Sequence, residues 1–198
     1  MSQCSQVFGV EPNSRYKEGI AAKVNKNGLG DKYKLIVAGI EDSDILRKEG
    51  ITEGSLDTVL CIQVLCAVND PKAVMKEIWK LLKPGGKFIF WEHGWSRSKL
   101  TVAEQGTSFL RFFASRGPVT DISMEGPKSS ADVANVQKAI LNPAWSTFIG
   151  CHMTRNVLAD ILDGGEWENP EDIEEPEDLV SCLPRIQGVL VKKAWGLP

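Results

Sequence analysis

Apolar residues fall into two runs, at residues 58–68 and 87–91, with a differently patterned stretch between them. In that stretch apolar side chains recur three and four positions apart, which is typical of an amphipathic helix: Val74, Ile78, Leu81 and Leu82. The pattern over residues 55–93 therefore predicts a buried strand, a helix and a second strand. Two buried strands joined by a helix pair in parallel, with a right-handed crossover, so this segment is a βαβ unit.

The helix of this unit has signals at both ends. Asp70 is placed to cap its first turn, and Pro71 suits the first helical position. We expect Lys83 in the last turn, with Pro84-Gly85-Gly86 ending the helix.

The chain before this unit alternates strand and helix. Strands are predicted at 6–10 and 33–38, with a breaker cluster at 27–31. One helix is predicted at 15–25, capped by Asn13 or Ser14, and a short one runs to Lys48 from Ser43 or Asp44. Such alternation is typical of a doubly wound parallel sheet, so the fold class is α/β.

The pattern loosens after residue 93. Helices are predicted at 102–116, 131–140 and 154–162, the last capped by Thr154, followed by an exposed acidic loop at 166–178 and a strand at 185–194. No repeat or linker divides the chain. We therefore expect a single domain over residues 1–198, with a helical and loop excursion at 96–165 forming the acceptor side.

Composition excludes several classes of protein. The chain of 198 residues is 42% hydrophobic and 25% charged with a net charge of −3, and it has no lysine or arginine cluster, so no nucleic-acid partner is expected. Its five cysteines include no CxxC pair, which indicates reduced thiols and a cytoplasmic protein. The N-terminus has neither a signal peptide nor an apolar stretch long enough for an integral membrane segment.

Acidic residues follow the first two predicted strands, where a doubly wound sheet binds its ligand. Glu11 can accept hydrogen bonds from both hydroxyls of a ribose, or it is an exposed loop carboxylate, and the two alternatives are weighed equally. In the next loop, Glu41 or Asp42 can accept from the exocyclic amine of adenine. Helix capping is the favoured role for at least one of them.

His93 lies at the tip of the last strand of the βαβ unit, where an imidazole can transfer protons near neutral pH. A histidine held by a hydrogen bond in a loop is the favoured alternative. Cys151 and His152 are adjacent, so their side chains point apart, and no second pair has metal-ligand spacing. The sequence therefore predicts neither a nucleophile pair nor a metal site.

Several motifs resemble class I S-adenosylmethionine-dependent methyltransferases. Residues 55–93 are similar to their last two sheet motifs, residues 9–13 to the strand whose acid holds the cofactor ribose, and residues 38–42 to the adenine loop. The likeness extends to the methyltransferase-like thiol methyltransferases through Val64-Leu65-Cys66, Glu92-His93, the 141–145 segment, Gly150-Cys151, Thr154-Arg155 and Leu183-Pro184.

The resemblance implies a Rossmann-like methyltransferase sheet, mostly parallel, with an antiparallel C-terminal strand. It also implies S-adenosylmethionine as cofactor and a small thiol or other lipophilic molecule as acceptor. The implied cofactor-binding residues are Glu11 and Pro12 at the ribose, Glu41 and Asp42 at adenine, and the backbone of Cys61, Ile62 and Gln63 at the methionine part. His93 would assist catalysis as a base.

The family's first strand and its glycine-rich loop are missing from the sequence, as is its N-terminal membrane anchor. The missing strand normally lies between the second and fourth strands. Three possibilities are open: those two strands pair directly, another chain fills the gap, or the sequence is incomplete.

Two alternatives to an active methyltransferase are open as well. A non-catalytic binding or regulatory protein of the same fold is favoured by the missing glycine loop. A nicotinamide-dependent enzyme would also use Glu11 at a ribose, but the absent GxGxxG motif counts against it. A homo-oligomer is compatible with each of these functions.

Overall fold

The computed structural model describes residues 4–93, 146–147, 150–152, 155–175 and 185–194. The predicted helices at 102–116 and 131–140 lie outside these residues, and so does most of the 96–165 excursion.

The described chain confirms the predicted alternation of strands and helices. Its elements are β1 (Val7–Val10), α1 (Lys17–Lys26), β2 (Tyr33–Ile36), α2 (Ser43–Lys48), β3 (Leu56–Ile62), α3 (Pro71–Leu81), β4 (Leu82–His93), α4 (Val157–Asp163) and β5 (Arg185–Val191). Short 3-10 helices lie at Ser14–Tyr16 and Pro170–Asp172. The first of them begins at Asn13, whose side chain accepts from the Arg15 amide at 3.1 Å. Helix α1 therefore starts two residues later than predicted.

The strands form two sheets. β1 and β2 pair in parallel, from Val7 opposite Tyr33 to Val10 opposite Ile36. In the other sheet β4 is central, parallel to β3 and antiparallel to β5, which confirms the expected antiparallel final strand. β1 and β3 correspond to the second and fourth strands of the family sheet, one possibility for which was direct pairing. Among the described residues no ladder joins the two sheets, so this pairing is not observed.

The βαβ unit is formed by β3, α3 and β4. Asp70 caps α3 as predicted, with its Oδ1 accepting from the Ala73 amide at 2.9 Å. The C-terminal end of the helix was predicted wrongly. Helix α3 ends at Leu81, because Leu82 is already extended and pairs with Leu56, and because Pro84 disfavours a helical Lys83.

Two hydrophobic clusters form the core. The larger lies among the three-stranded sheet, α3 and α4, and includes Leu65, Met75, Phe88, Phe90, Trp167 and Leu190. The smaller consists of Ile36, Ala38, Leu46, Ile51 and Leu81. Ile40 and Leu56 pack against both clusters. Apolar packing therefore holds the two sheets together where hydrogen bonds do not.

The acidic segment after α4 is only partly the exposed loop that was predicted. Trp167 is buried, and its indole donates to the carbonyl of Ile161 at 3.0 Å. The Asn169 side chain binds the outer edge of β5, donating to the Val189 carbonyl at 2.9 Å and accepting from the Val191 amide at 2.9 Å. The many carboxylates of this segment were the reason for predicting that it is exposed. The side chains of Trp167 and Asn169 nevertheless fix it against the sheet.

Helix α4 begins at Asn156, whose Oδ1 accepts from the Ala159 amide at 3.2 Å. The predicted cap, Thr154, lies outside the described residues. None of the described helices has the length and apolar content that a membrane-crossing helix needs.

Lys192 is buried at the C-terminal end of α3. Its ammonium donates to the carbonyls of Trp79 at 2.7 Å and Leu82 at 2.8 Å, and it lies 4.1 Å from the centre of the Trp79 ring. Burial lowers the pKa of this lysine. The last carbonyls of a helix lack partners within the helix, so this cation stabilises the end of α3.

Adjacent lysines allow a matched test of that contact. We expect Lys192→Met to lower the free energy of unfolding by about 2 kcal/mol, because two carbonyls lose a charged donor. Lys193→Met should change it by less than about 0.5 kcal/mol, because Lys193 is exposed and only its distant ion pair with Glu166 is lost. Urea unfolding of the two variants checks the difference, and equal effects would contradict it.

Candidate functional site

The structure divides the predicted site residues between the two sheets. Glu11, Pro12, Glu41 and Asp42 follow β1 and β2, whereas Cys61, Ile62, Gln63 and His93 lie at the ends of β3 and β4. Among the described residues no hydrogen bond or ion pair joins the two groups. Ile40 is the link between them, because it packs against the core clusters beneath both.

Glu11 is fixed at the tip of β1. Its amide donates to the Ile36 carbonyl at 3.0 Å, and its Oε1 accepts from the Asn13 amide at 2.8 Å. The residue is half-buried, whereas Pro12 is exposed. One carboxylate oxygen thus closes the turn after the strand, and a role at a ribose stays a prediction.

The loop after β2 is ordered by its two acids. Asp42 occupies the cap position of α2, but its Oδ2 accepts from the Gly39 amide at 2.7 Å rather than from the helix. The Glu41 carboxyl folds over Gly39 so closely that an added Cβ would lie 2.6 Å from it. Both acids are exposed beside the β1 tip, since β1 and β2 are parallel neighbours.

The end of β3 has an unusual backbone. Gln63 has φ of +54°, the one positive value of a non-glycine residue in the part of the chain that the structure describes. Its amide donates to the Trp91 carbonyl at 2.8 Å. Ile62 before it is exposed, whereas Cys61 is buried and its thiol donates to Glu92 at 3.3 Å. Left-handed backbone costs a residue with a Cβ free energy, so neighbouring contacts must hold this turn.

Glu92 supplies those contacts. Its side chain is fully buried, and Oε1 accepts from the amides of Val64 at 2.8 Å and Leu65 at 3.2 Å. Burial raises the pKa of Glu92, while the two amide donors oppose that rise. Its other oxygen, Oε2, has no hydrogen-bond partner among the described groups. From the sequence, Glu92 was recognised as part of the family resemblance, with no such role.

His93 lies against two cysteines. Its Nδ1 is 3.4 Å from Sγ of Cys151 and 3.7 Å from Sγ of Cys66, and its Nε2 is 3.1 Å from the amide nitrogen of Gln63. The donor atoms of His93, Cys66 and Cys151 all lie within 4.8 Å of one another. Both cysteines are buried and the histidine is half-buried.

Backbone contacts bring Cys151 to this position. The His152 amide donates to the Cys66 carbonyl at 2.9 Å, and the Arg155 guanidinium donates to the carbonyls of Val68 and Asn69. The segment before α4 is thereby fixed to the loop after β3. In the sequence, Cys151 and its neighbour His152 were rejected as a nucleophile pair or metal site. No sequence spacing relates Cys151 to Cys66 and His93.

The cysteine thiols are not activated by their own surroundings. The pKa of the Cys66 thiol is raised, first by the hydrogen bond of this thiol with Cys151 and then by burial. Burial and the nearby Glu92 raise that of Cys61. A thiol with a raised pKa is a poor nucleophile near neutral pH, so neither residue is set up for nucleophilic catalysis.

Comparisons with known proteins find similarity to methyltransferases. Residues 1–90 match the family model described as "Methyltransferase domain". The thiol S-methyltransferase TMT1B of Homo sapiens is 33% identical over 190 residues, which are 94% of this chain and 62% of that protein. The protein of that name from Rattus norvegicus is 27% identical over 195 residues, with the same coverage. The chain thus spans less than two thirds of these curated relatives.

Solved structures agree on the fold. An S-adenosylmethionine-dependent methyltransferase from Methanosarcina mazei has a TM-score of 0.52 at 16% identity, covering 96% of this chain and 83% of that one. The CurJ carbon methyltransferase has a TM-score of 0.51 at 12% identity, covering 96% and 42%. Together with the observed sheets, they confirm the predicted α/β Rossmann-like methyltransferase fold.

The role of Glu92 can be tested by changing its acceptor oxygen. Glu92→Leu leaves the buried amide of Leu65 and the part-buried amide of Val64 without their acceptor, and we expect the free energy of unfolding to fall by about 2–4 kcal/mol. Glu92→Gln keeps one oxygen acceptor and should cost about 1 kcal/mol. The exposed Glu18→Leu serves as control in urea unfolding. Equal losses for Gln and Leu would show that the amide contacts do not hold the turn.

Proposed function

We propose that this chain, which carries a methyltransferase domain and is homologous to the thiol S-methyltransferases, binds S-adenosylmethionine and methylates a small molecule. The acceptor in this proposal is a thiol or another small lipophilic molecule. The observation that carries it is the 33% identity with a thiol S-methyltransferase over 94% of the chain.

The residues at the ends of β1 and β2 suit the nucleoside part of the cofactor. Glu11 would bind the ribose hydroxyls, since a half-buried carboxylate at a strand tip is a good bidentate acceptor. Asp42 and Glu41 would lie at the adenine edge, because parallel pairing places their loop beside Glu11. The Cys61–Gln63 backbone would lie at the methionine part. Bound there, the sulfonium supplies an electrophilic methyl group.

Direct methyl transfer requires mainly that donor and acceptor be held in line. A thiol is already partly ionised near neutral pH, so a base would assist without being essential. In this proposal His93 is that base, supported by its position at the end of β4 beside Gln63.

One observation favours a second candidate, a non-catalytic binding or regulatory protein of the same fold. No described ladder joins the two sheets, and Leu60 and Ile62 on β3 are 64% and 47% exposed. A methyltransferase sheet needs a further segment of backbone between β1 and β3 to hold the methionine part of its cofactor. A protein that lacked it would keep the fold and lose the reaction.

We further propose a cytoplasmic location. Cys61, Cys66 and Cys151 are buried thiols rather than disulfides, as a reducing compartment favours. A homo-oligomer stays a prediction.

Cofactor binding is tested by calorimetric titration with S-adenosylmethionine. We expect a single site, and an affinity roughly tenfold weaker in Glu11→Gln, because hydrogen bonds to a charged group are lost. Glu18→Gln removes an exposed charge from α1, away from the strand ends, and should bind as the unchanged chain does. No binding to the unchanged chain would overturn the proposal, and equal binding by both variants would remove Glu11 from the site.

Catalysis is tested separately by incubating the chain with cofactor and a small alkyl thiol, and measuring S-adenosylhomocysteine. Turnover that depends on the thiol is expected. Cofactor binding without turnover would favour the non-catalytic candidate.

A further inference from the structure

We propose that Cys66, His93 and Cys151 bind a soft divalent metal ion, Zn²⁺, and leave its fourth position open to the sulfur of an acceptor thiol. The metal site stands on the geometry of these three residues alone. The open position for a thiol rests on the proposed function.

The distances match a tetrahedral zinc site. With Zn–S bonds of about 2.3 Å and Zn–N bonds of about 2.0–2.1 Å, tetrahedral angles place sulfur and nitrogen ligands about 3.6 Å apart. The two observed separations from His93 Nδ1 are 3.4 Å to Cys151 and 3.7 Å to Cys66. All three ligand atoms lie within 4.8 Å of one another. A cation among them needs little rearrangement of the chain.

The ligand types favour zinc over harder ions. Two thiols and an imidazole form a soft donor set, whereas Mg²⁺ and Ca²⁺ prefer oxygen. The ligands come from three separate segments, namely the loop after β3, the end of β4 and the segment before α4. The backbone contact of His152 with Cys66 and the contacts of Arg155 hold the first and third segments together. The donor set is therefore organised by the fold.

Gln63 suits the supporting role that such a histidine requires. A metal-binding histidine usually donates its other N–H to an oxygen, which fixes the ring and the tautomer. The Gln63 amide lies 3.1 Å from Nε2 of His93, and half a turn of that amide presents its oxygen. Gln63 is also the residue with the positive φ of +54°. Support of the metal-binding histidine would be the function of the strained turn that Glu92 stabilises.

Three protein ligands are the usual number in a zinc site that binds substrate. A thiol R–SH that enters the fourth position loses its proton to solvent as the metal–sulfur bond forms. Its sulfur then attacks the methyl carbon, forming S–CH₃ while the bond from that carbon to the sulfonium breaks. The electron pair of that bond returns to the cofactor sulfur, which leaves neutral S-adenosylhomocysteine and R–S–CH₃ with no change in oxidation state. In this arrangement His93 is a ligand and no base is required.

The site is adjacent to the predicted cofactor position. Gln63, whose backbone is assigned to the methionine part, contacts His93 directly. A thiolate held beside the methionine part would face the methyl group that it must accept.

Cobalt reports directly on such a site. The full chain is purified with a phosphine reductant, stripped of metal by a chelator and titrated with Co²⁺. We expect a single Co²⁺ per chain with the intense visible bands of a tetrahedral site and thiolate-to-cobalt charge transfer in the near ultraviolet, both removed by added Zn²⁺. Cys66→Ser and Cys151→Ser should each reduce the charge-transfer intensity by about half or more, since at most one thiolate remains. Cys4→Ser, which changes an exposed thiol outside the cluster, should keep it.

Folding and ligation are separated by two controls. Circular dichroism and urea unfolding of the metal-free variants show whether each serine variant is folded. Gln63→Ala leaves all three ligands in place, and we expect it to retain the cobalt spectrum while weakening metal affinity about 10–100-fold. Unchanged affinity in this variant would remove Gln63 from the support of the site.

The open position is tested by adding 2-mercaptoethanol to the cobalt form, with ethylene glycol as the matched alcohol. Thiol entry should raise the charge-transfer intensity by about half, since two thiolates become three. The alcohol should leave it unchanged. Removal of metal should also reduce the rate of thiol methylation at least tenfold.

The outcomes separate this inference from the proposed function. No tetrahedral cobalt spectrum from the folded, reduced chain overturns the metal site, whether or not methylation is observed. A cobalt spectrum without cofactor binding overturns the proposed function and leaves the metal site standing. Methylation that is as fast without metal as with it overturns the thiol-binding position alone.

Discussion

The buried carboxylate of Glu92 is the interaction on which the site depends. A fully buried carboxylate is costly to desolvate, and the amides of Val64 and Leu65 offset that cost by donating to the same oxygen. These bonds connect the end of β4 to the turn after β3, and they hold Gln63 in its left-handed conformation. The position of Gln63 in turn decides what contacts His93.

The second constraint is the division of the strands into two sheets. Within the described part of the chain, strand hydrogen bonds join β1 only to β2, and apolar packing through Ile40 and Leu56 attaches this pair to the main core. The predicted nucleoside-binding acids therefore stand on one sheet, and the predicted methionine-binding backbone on the other. Cofactor binding would depend on how firmly that packing holds the two groups in place, since no described hydrogen bond fixes their separation.

The C-terminal part of the chain completes the site from outside the βαβ unit. Burial of Trp167, the Asn169 contacts with β5 and the Lys192 contacts with α3 fix this part against the sheet. Contacts of His152 and Arg155 with the loop after β3 bring Cys151 to Cys66 and His93. The cluster at His93 therefore includes residues outside the first 90 positions, which are the part that matches the methyltransferase domain model.

The sequence by itself determined the βαβ unit, the alternation before it and the final strand, which was predicted at 185–194 and is observed at Arg185–Val191. These depend on signals that neighbouring residues carry, such as apolar spacing, the cap at Asp70 and the proline that follows it as the first helical residue. The same local signals placed Glu11, Glu41, Asp42 and His93 at strand ends.

Tertiary structure decided where α3 gives way to β4, and it alone decided the role of Glu92 and the cluster at His93. Pro84 is a local signal against a helical Lys83, but no local signal reports the pairing of Leu82 with Leu56 that begins β4. His93 is 27 residues from Cys66 and 58 from Cys151, so no motif spacing relates them. Their meeting is set by how β3, β4 and the segment before α4 pack together, which is a property of the folded core and not of any one stretch of sequence.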